Sequence, residues 1–192
     1  MRTVSGLCLL LASLAQPGVA VDVSRGEDRL GVSAPPLKLS GWLNSPPLEM
    51  DQLRGRVVLI RWWTDGCPFC AATAPALNRL NEKYGSRGLR VIGIFHPKPA
   101  GDRSIERMRA AAEPKGFTFP VALDADWKAL NRWWPDLEKR GWTSVSFVVD
   151  KQGIIRYVHP GGEFHESGNA DHARCDRDYK DIERTIGRLL HE

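Results

Sequence analysis

The chain has 192 residues, 42% hydrophobic and 26% charged, with a formal charge of +4 and no low-complexity tract. That composition supplies a core for one globular domain and excludes a disordered or fibrous chain. Basic residues alternate with acids nearly everywhere, so no nucleic-acid partner is expected, and four cysteines at 8, 67, 70 and 175 are too few for a disulfide framework.

Residues 1–20, MRTVSGLCLLLASLAQPGVA, place Arg2 ahead of an apolar centre at 7–15, then a Pro17-Gly18 breaker and the small Ala20. This is the order of a secretory signal peptide. The apolar centre is shorter than the roughly 20 residues of a membrane span. Cleavage near Ala20 is expected, with export to the periplasm or beyond; it lowers the formal charge from +4 to +3 and leaves Cys67, Cys70 and Cys175. Residues 21–36, ending at Pro35-Pro36, suggest a flexible lead-in to a single domain over 37–192.

Within that domain, Gly41 and Pro46-Pro47 divide residues 37–53 into a strand or hairpin and a helical turn. RVVLIRWW at 56–63 is apolar on both alternating faces, as a central parallel strand is. A helix follows, with Cys67 as its N-cap and Pro68 at the first helical position, where the missing N–H costs nothing. Leu77, Leu80 and Tyr84 continue its apolar face, Pro75 predicts a kink, and Gly85 predicts the stop.

LRVIGIF at 89–95 is the next buried strand, and Ile105, Met108 and Ala112 keep helical spacing over 102–115. A short strand at 117–123 and a short helix at 127–134 come next. VSFVVD and IIRYVH flank Lys151-Gln152-Gly153 as a hairpin, and Tyr179, Ile182, Ile186 and Leu189 mark a final helix. The sum is an α/β fold, a sheet layered by helices.

The chemistry concentrates at CPFC. A helix start offers free N–H groups and the positive end of the dipole, which stabilise a thiolate at Cys67. In such motifs a thiol pKa can fall from about 8.5 to roughly 3.5–7.5. A thiolate attacks a disulfide, and a second cysteine one helical turn on resolves the mixed disulfide. The competing reading, half of a zinc site, usually needs a second pair or two histidines at ligand spacing. His159, His165, His172 and Cys175 do not repeat a known spacing, so no metal and no organic cofactor is assigned.

WWTDGCPFC followed by Pro75 resembles the thioredoxin superfamily. With GLRVIGIFHPKP, FPVALDAD and FVVDKQGIIRYVHPGGEF, the chain is similar to its exported TlpA-like and redoxin-type members, related to AhpC/TSA proteins. The resemblance runs from about residue 37 to the C-terminus. It implies a thioredoxin-like fold: a central mixed sheet flanked by helices, with a helix–strand insertion between Lys98 and Leu123. It also implies a thiol–disulfide oxidoreductase in which Cys67 attacks and Cys70 resolves, while Pro68 and Phe69 tune the potential. Protein disulfides or dithiols would be the substrates, a redox partner would recycle the pair, and a monomer is expected.

Two departures from that pattern stand out. Ser144 takes the place of the usual cis-proline, and because a cis bond before a non-proline residue costs about 2.5–4 kcal/mol, a trans bond and a reshaped groove are expected. Arg61 takes the place of a buried acid six residues before the first cysteine. Turned toward the pair, it favours thiolate and a more oxidising disulfide; turned away, it needs an acid as partner. Trp142, Thr143 and Ser144 are the expected substrate-contacting loop, and Trp63 and Thr64 support the site.

Thr64, in TxxC, also resembles peroxiredoxins, so a peroxidase in which Cys67 becomes a sulfenate is one alternative. A metal chaperone using Cys67, Cys70 and a histidine is another. Glu163 fits either a polar neighbour of the site or a loop cap. Cys175 reads first as an inert thiol, with pairing to a second protein or metal ligation alongside His172 as the alternatives.

Overall fold

The computed structural model describes residues 21–98 and 101–192; the signal-peptide expectation falls on residues 1–20, outside them. The all-apolar run after Arg56 becomes strand β2 (Val57–Trp63), buried at every position. It sits inside a mixed sheet with β1 (Ser40–Leu43), β3 (Leu89–Phe95), β4 (Val121–Leu123), β5 (Ser146–Val149) and β6 (Ile155–His159). The order is β1-β4-β3-β2-β5-β6. β2, β3 and β4 run parallel, while β1, β5 and β6 each pair antiparallel with their neighbours.

Among the described residues, five α-helices flank it: α1 (Pro68–Tyr84), α2 (Ile105–Ala112), α3 (Lys128–Trp133), α4 (Leu137–Arg140) and α5 (Ala173–His191). Alternation along β2 divides the core. Val57, Leu59 and Trp63 meet Leu77, Leu80, Met108, Ile182 and Ile186 from α1, α2 and α5. Val58, Ile60 and Trp62 meet Ala129, Leu130 and Trp133 of α3 on the other face. Each such side chain, fully buried, contributes about 1.5–3 kcal/mol. The expected insertion is α2 with β4, which lies between β3 and the edge strand β1.

α1 ends at Tyr84 with Gly85 as its C-cap, the expected stop; Gly85 keeps a right-handed helical conformation, a 3-10 turn (Gly85–Arg87) follows, and the chain leaves at Gly88 with φ 108. α1 runs from Pro68 to Tyr84 with Pro75 inside it, and in the turn before Pro75 the Thr73 hydroxyl donates to the Phe69 carbonyl at 2.8 Å.

The segment expected to be a flexible lead-in is instead docked on the domain. Gly31 donates to the Ile155 carbonyl at 2.9 Å, Ile155 to Val32 at 2.9 Å, and Ala34 to Gly153 at 2.8 Å. These bonds cover the outer edge of β6, which would otherwise offer unpaired backbone groups. Asp28 grips the Arg140 guanidinium at 2.6 and 3.1 Å, anchoring the segment to α4.

Candidate functional site

β2 ends at Trp63, the chain turns through Thr64-Asp65-Gly66, and α1 begins at Pro68. Cys67 is the N-cap, in extended conformation, and its sulfur accepts the Cys70 N–H at 3.2 Å. The cap is therefore a thiol rather than the usual oxygen, which places Cys67 Sγ on the free N–H groups of the helix. Cys67 is partly exposed and Cys70 is buried. Burial pushes the Cys70 thiol up to about 11; the Arg61 guanidinium pulls the other way, and the neighbouring Cys67 sulfur adds to the rise.

Arg61 points toward the pair. On β2 it shares the face of Leu59 and Trp63, which is the face α1 covers. It is fully buried, donating to Ser146 Oγ at 3.2 Å and to the Gly162 carbonyl at 2.6 Å. Its guanidinium carbon lies 5.5 Å from the Phe164 ring centre, and Nε has no partner. Burial lowers its pKa, and the Cys70 and Cys67 sulfurs draw it back up. Its hydrogen bonds are to a hydroxyl and a carbonyl, and among the described residues no carboxylate partners it, so the alternative of an acid-paired Arg61 is overturned.

Cys67 opens onto a groove of about 530 Å³ lined by Thr64, Asp65, Gly66, Lys98 and the 141–144 loop. Trp142, Thr143 and Ser144 stand there as expected. The exposed rings of Phe69 and Trp142 meet edge to face at 5.4 Å, forming an apolar rim beside the sulfur. Gly161, at φ 137, passes under Trp142 so closely that a Cβ there would lie 2.3 Å from the Trp142 Cβ. Pro68 is exposed at the first helical position. Trp63 is buried, its ring 4.9 Å from Phe95 and 5.3 Å from Phe117, so it backs the site without lining the groove.

Thr64 donates its hydroxyl to the carboxylate of the next residue, Asp65 Oδ1, at 3.1 Å. Two groups escaped sequence reasoning here. Arg107 of α2 holds both Asp65 oxygens at 2.8 and 3.0 Å, which keeps that carboxyl below its ordinary pKa. His96, just past β3, accepts or donates at 2.9 Å with the Trp63 carbonyl and at 2.8 Å with Thr143 Oγ1. Since a carbonyl only accepts, Nδ1 carries the proton and Nε2 accepts from Thr143. The signal for His96 was its place right after a buried strand in GIFHP; Arg107 gave none.

Among the described residues, the one group of three or more possible metal ligands is Glu163, His165, His172 and Cys175, which includes neither Cys67 nor Cys70. His159 is apart from it, buried against Phe164 and 3.3 Å from Asp178.

Among proteins of known sequence, the chain is 33% identical over 137 residues to Protein DipZ of Mycobacterium tuberculosis, matching 67% of this chain and spanning only 18% of that protein. It is 25% identical over 164 residues to the thiol-disulfide oxidoreductase ResA of Geobacillus kaustophilus, covering 83% of this chain and 88% of that one. The crystal structure of a thiol:disulfide interchange protein of the thioredoxin family from Chlorobium tepidum superposes with a TM-score of 0.60 at 19% identity, over 83% of this chain and 97% of that one. That likeness establishes the thioredoxin-like fold. The sequence pattern of the AhpC/TSA family matches residues 30–158, and with β1 to β5 and the cysteine-bearing helix inside that match, the chain belongs to the AhpC/TSA family.

Proposed function

We propose that this chain is a thiol–disulfide oxidoreductase that works on protein disulfides or dithiols outside the cytoplasm. The observation that carries the reading is the asymmetry of the pair: a groove-facing Cys67 sulfur on the free N–H groups of α1, and a buried Cys70 one turn behind it. Cys67 attacks one sulfur of a substrate disulfide, forming a mixed disulfide and releasing a substrate thiolate. Cys70 then gives up its proton to that departing thiolate and attacks Cys67, which frees the second substrate sulfur as a thiolate that solvent protonates and leaves a Cys67–Cys70 disulfide.

The Phe69–Trp142 rim favours an extended apolar segment of substrate, and the rim with Thr143 and Ser144 would hold it beside Cys67. Pro68 and Phe69, as the residues between the sulfurs, would set the potential. A redox partner then restores the dithiol. Export is inferred from the order of residues 1–20, and a monomer is the working state of the reading. The peroxidase alternative has less support, because the Thr64 hydroxyl that would orient a peroxide is given to Asp65.

Insulin-disulfide reduction tests the proposal. Cys67→Ser is expected to lose all turnover, and Cys70→Ser to accumulate a mixed disulfide through Cys67 that mass spectrometry identifies. Turnover that survives Cys67→Ser, or peroxide outcompeting insulin at micromolar concentration, sinks the reading.

A further inference from the structure

Four side chains outside the cysteine pair converge where the loop after β6 joins α5. Glu163 and His165 lie two apart on that loop. His172 caps α5 and Cys175 follows at three residues' distance, on the same side of the helix. The loop is tied down around them: His165 N–H donates to the Cys175 carbonyl at 3.4 Å, and Ser167 N–H to Asp176 Oδ1 at 2.7 Å.

One donor atom from each of the four lies within 4.8 Å of every other. Glu163 is central, with Cys175 Sγ 3.6 Å from Oε1, His172 Nδ1 3.9 Å from Oε1 and His165 Nε2 4.0 Å from Oε2. The two imidazoles have centroids 5.0 Å apart. A tetrahedral ion with bonds of about 2.0–2.3 Å sets its donors about 3.3–3.8 Å apart. Rotamer changes of about 1 Å would therefore close the shell. As hydrogen-bond partners the same groups are poor: both histidines stand beyond bonding range of the carboxylate. As metal ligands they are well matched, since one thiolate, one carboxylate and two neutral imidazoles balance a dication.

We propose that Glu163, His165, His172 and Cys175 form a structural zinc site that clips the loop to the start of α5. The mixed sulfur, nitrogen and oxygen set is that of zinc, not of the all-oxygen cations. Binding replaces one proton: the Cys175 thiol, whose pKa burial and Glu163 now raise, releases it to solvent as the sulfur bonds the metal. No electron moves. The site also assigns the odd cysteine a role, because a zinc-held thiolate is withheld from exchange with Cys67.

The test uses the full chain carrying Cys67→Ser and Cys70→Ser, so that the redox pair binds no metal. After loading with zinc under reducing conditions and passage over a chelating resin, one zinc per chain is expected by elemental analysis. Retention is expected to fall at least about tenfold on adding Cys175→Ser, or His165→Ala with His172→Ala. Zinc is expected to raise the melting midpoint by about 5 °C in the parent and not in those variants. Cobalt(II) supplies a readout independent of stability, a thiolate-to-metal charge-transfer band that disappears with Cys175→Ser. Circular dichroism confirms that the variants fold. Failure of the parent to retain zinc, or equal retention by the variants, overturns the site.

Discussion

His96 and Arg61 are both basic and both fully buried, yet they solve burial differently. His96 does so by staying neutral. Burial pushes its pKa down to about 4, with the Trp63 carbonyl opposing and the Lys98 and Arg61 cations assisting. The unfolded imidazole has a pKa of about 6.5. Between those values the unfolded chain binds the extra proton, so stability is complete above pH 6.5 and is lost as pH falls toward 4. This group alone should cost the protein about 2 kcal/mol between pH 7 and pH 5. His96→Gln keeps an acceptor for Thr143 and removes the titration, so its urea-unfolding free energy should fall by that much less over the same interval. His159, also lowered by burial, titrates in both proteins and cancels. Equal pH slopes for the two proteins would refute the assignment.

The elements differ in how far their own residues specify them. β2, β3, α1 and α5 were legible because each carries its periodicity locally, and the cysteine cap and Pro68 announce α1 within two residues. α4 and the docked lead-in were not legible, because what holds them comes from distant chain: Asp28 and Arg140 are 112 residues apart. The same holds at the site. Cys67, Phe69 and Trp142 could be named from motif and loop position, but the partners of Arg61 are Ser146, 85 residues on, and Gly162, 101 residues on in an irregular loop. Glu163, His165, His172 and Cys175 become a set only when that loop folds back. The lead-in anchor can be tested directly. The Arg140 side chain is 1% exposed and lies 4.0 Å from the Trp134 ring centre, with the Val23 carbonyl at 2.6 Å as a further partner. Asp28→Ala removes its one carboxylate partner and should destabilise the protein by about 3 kcal/mol in urea, a loss that Asp28→Glu should largely restore. A change under about 0.5 kcal/mol would mean that the carbonyls suffice.

For the whole molecule, the consequence of Arg61 is that folding and redox state are linked. The guanidinium is buried with Ser146, Gly162 and Phe164 around it, and the cysteine sulfurs are the groups that draw its pKa upward. With Cys67 as the attacking thiolate of the proposed function, oxidation turns it into half of a neutral disulfide and leaves the cation without an anion; Cys70, its thiol pushed up to about 11, is neutral at pH 7 in the reduced form. Two effects then compete. Closing the short loop from Cys67 to Cys70 restricts the unfolded chain and favours the oxidised fold by about 2 kcal/mol. Depriving a buried charge of its partner costs about 3 kcal/mol or more. The second is larger, so the reduced protein should be the more stable form by about 1 kcal/mol in urea at neutral pH. By linkage the couple is then more oxidising than an unstructured dithiol, at about 30 mV for each 1.4 kcal/mol. Arg61→Leu removes the cation and keeps the apolar bulk. It should reverse the order of stabilities and lower the potential measured in a glutathione buffer by about 30 mV or more, while Arg61→Lys should hold both near their starting values. An oxidised form that is already the more stable one, together with a potential indifferent to Leu at 61, would show that the guanidinium is neutralised by something other than the cysteine pair.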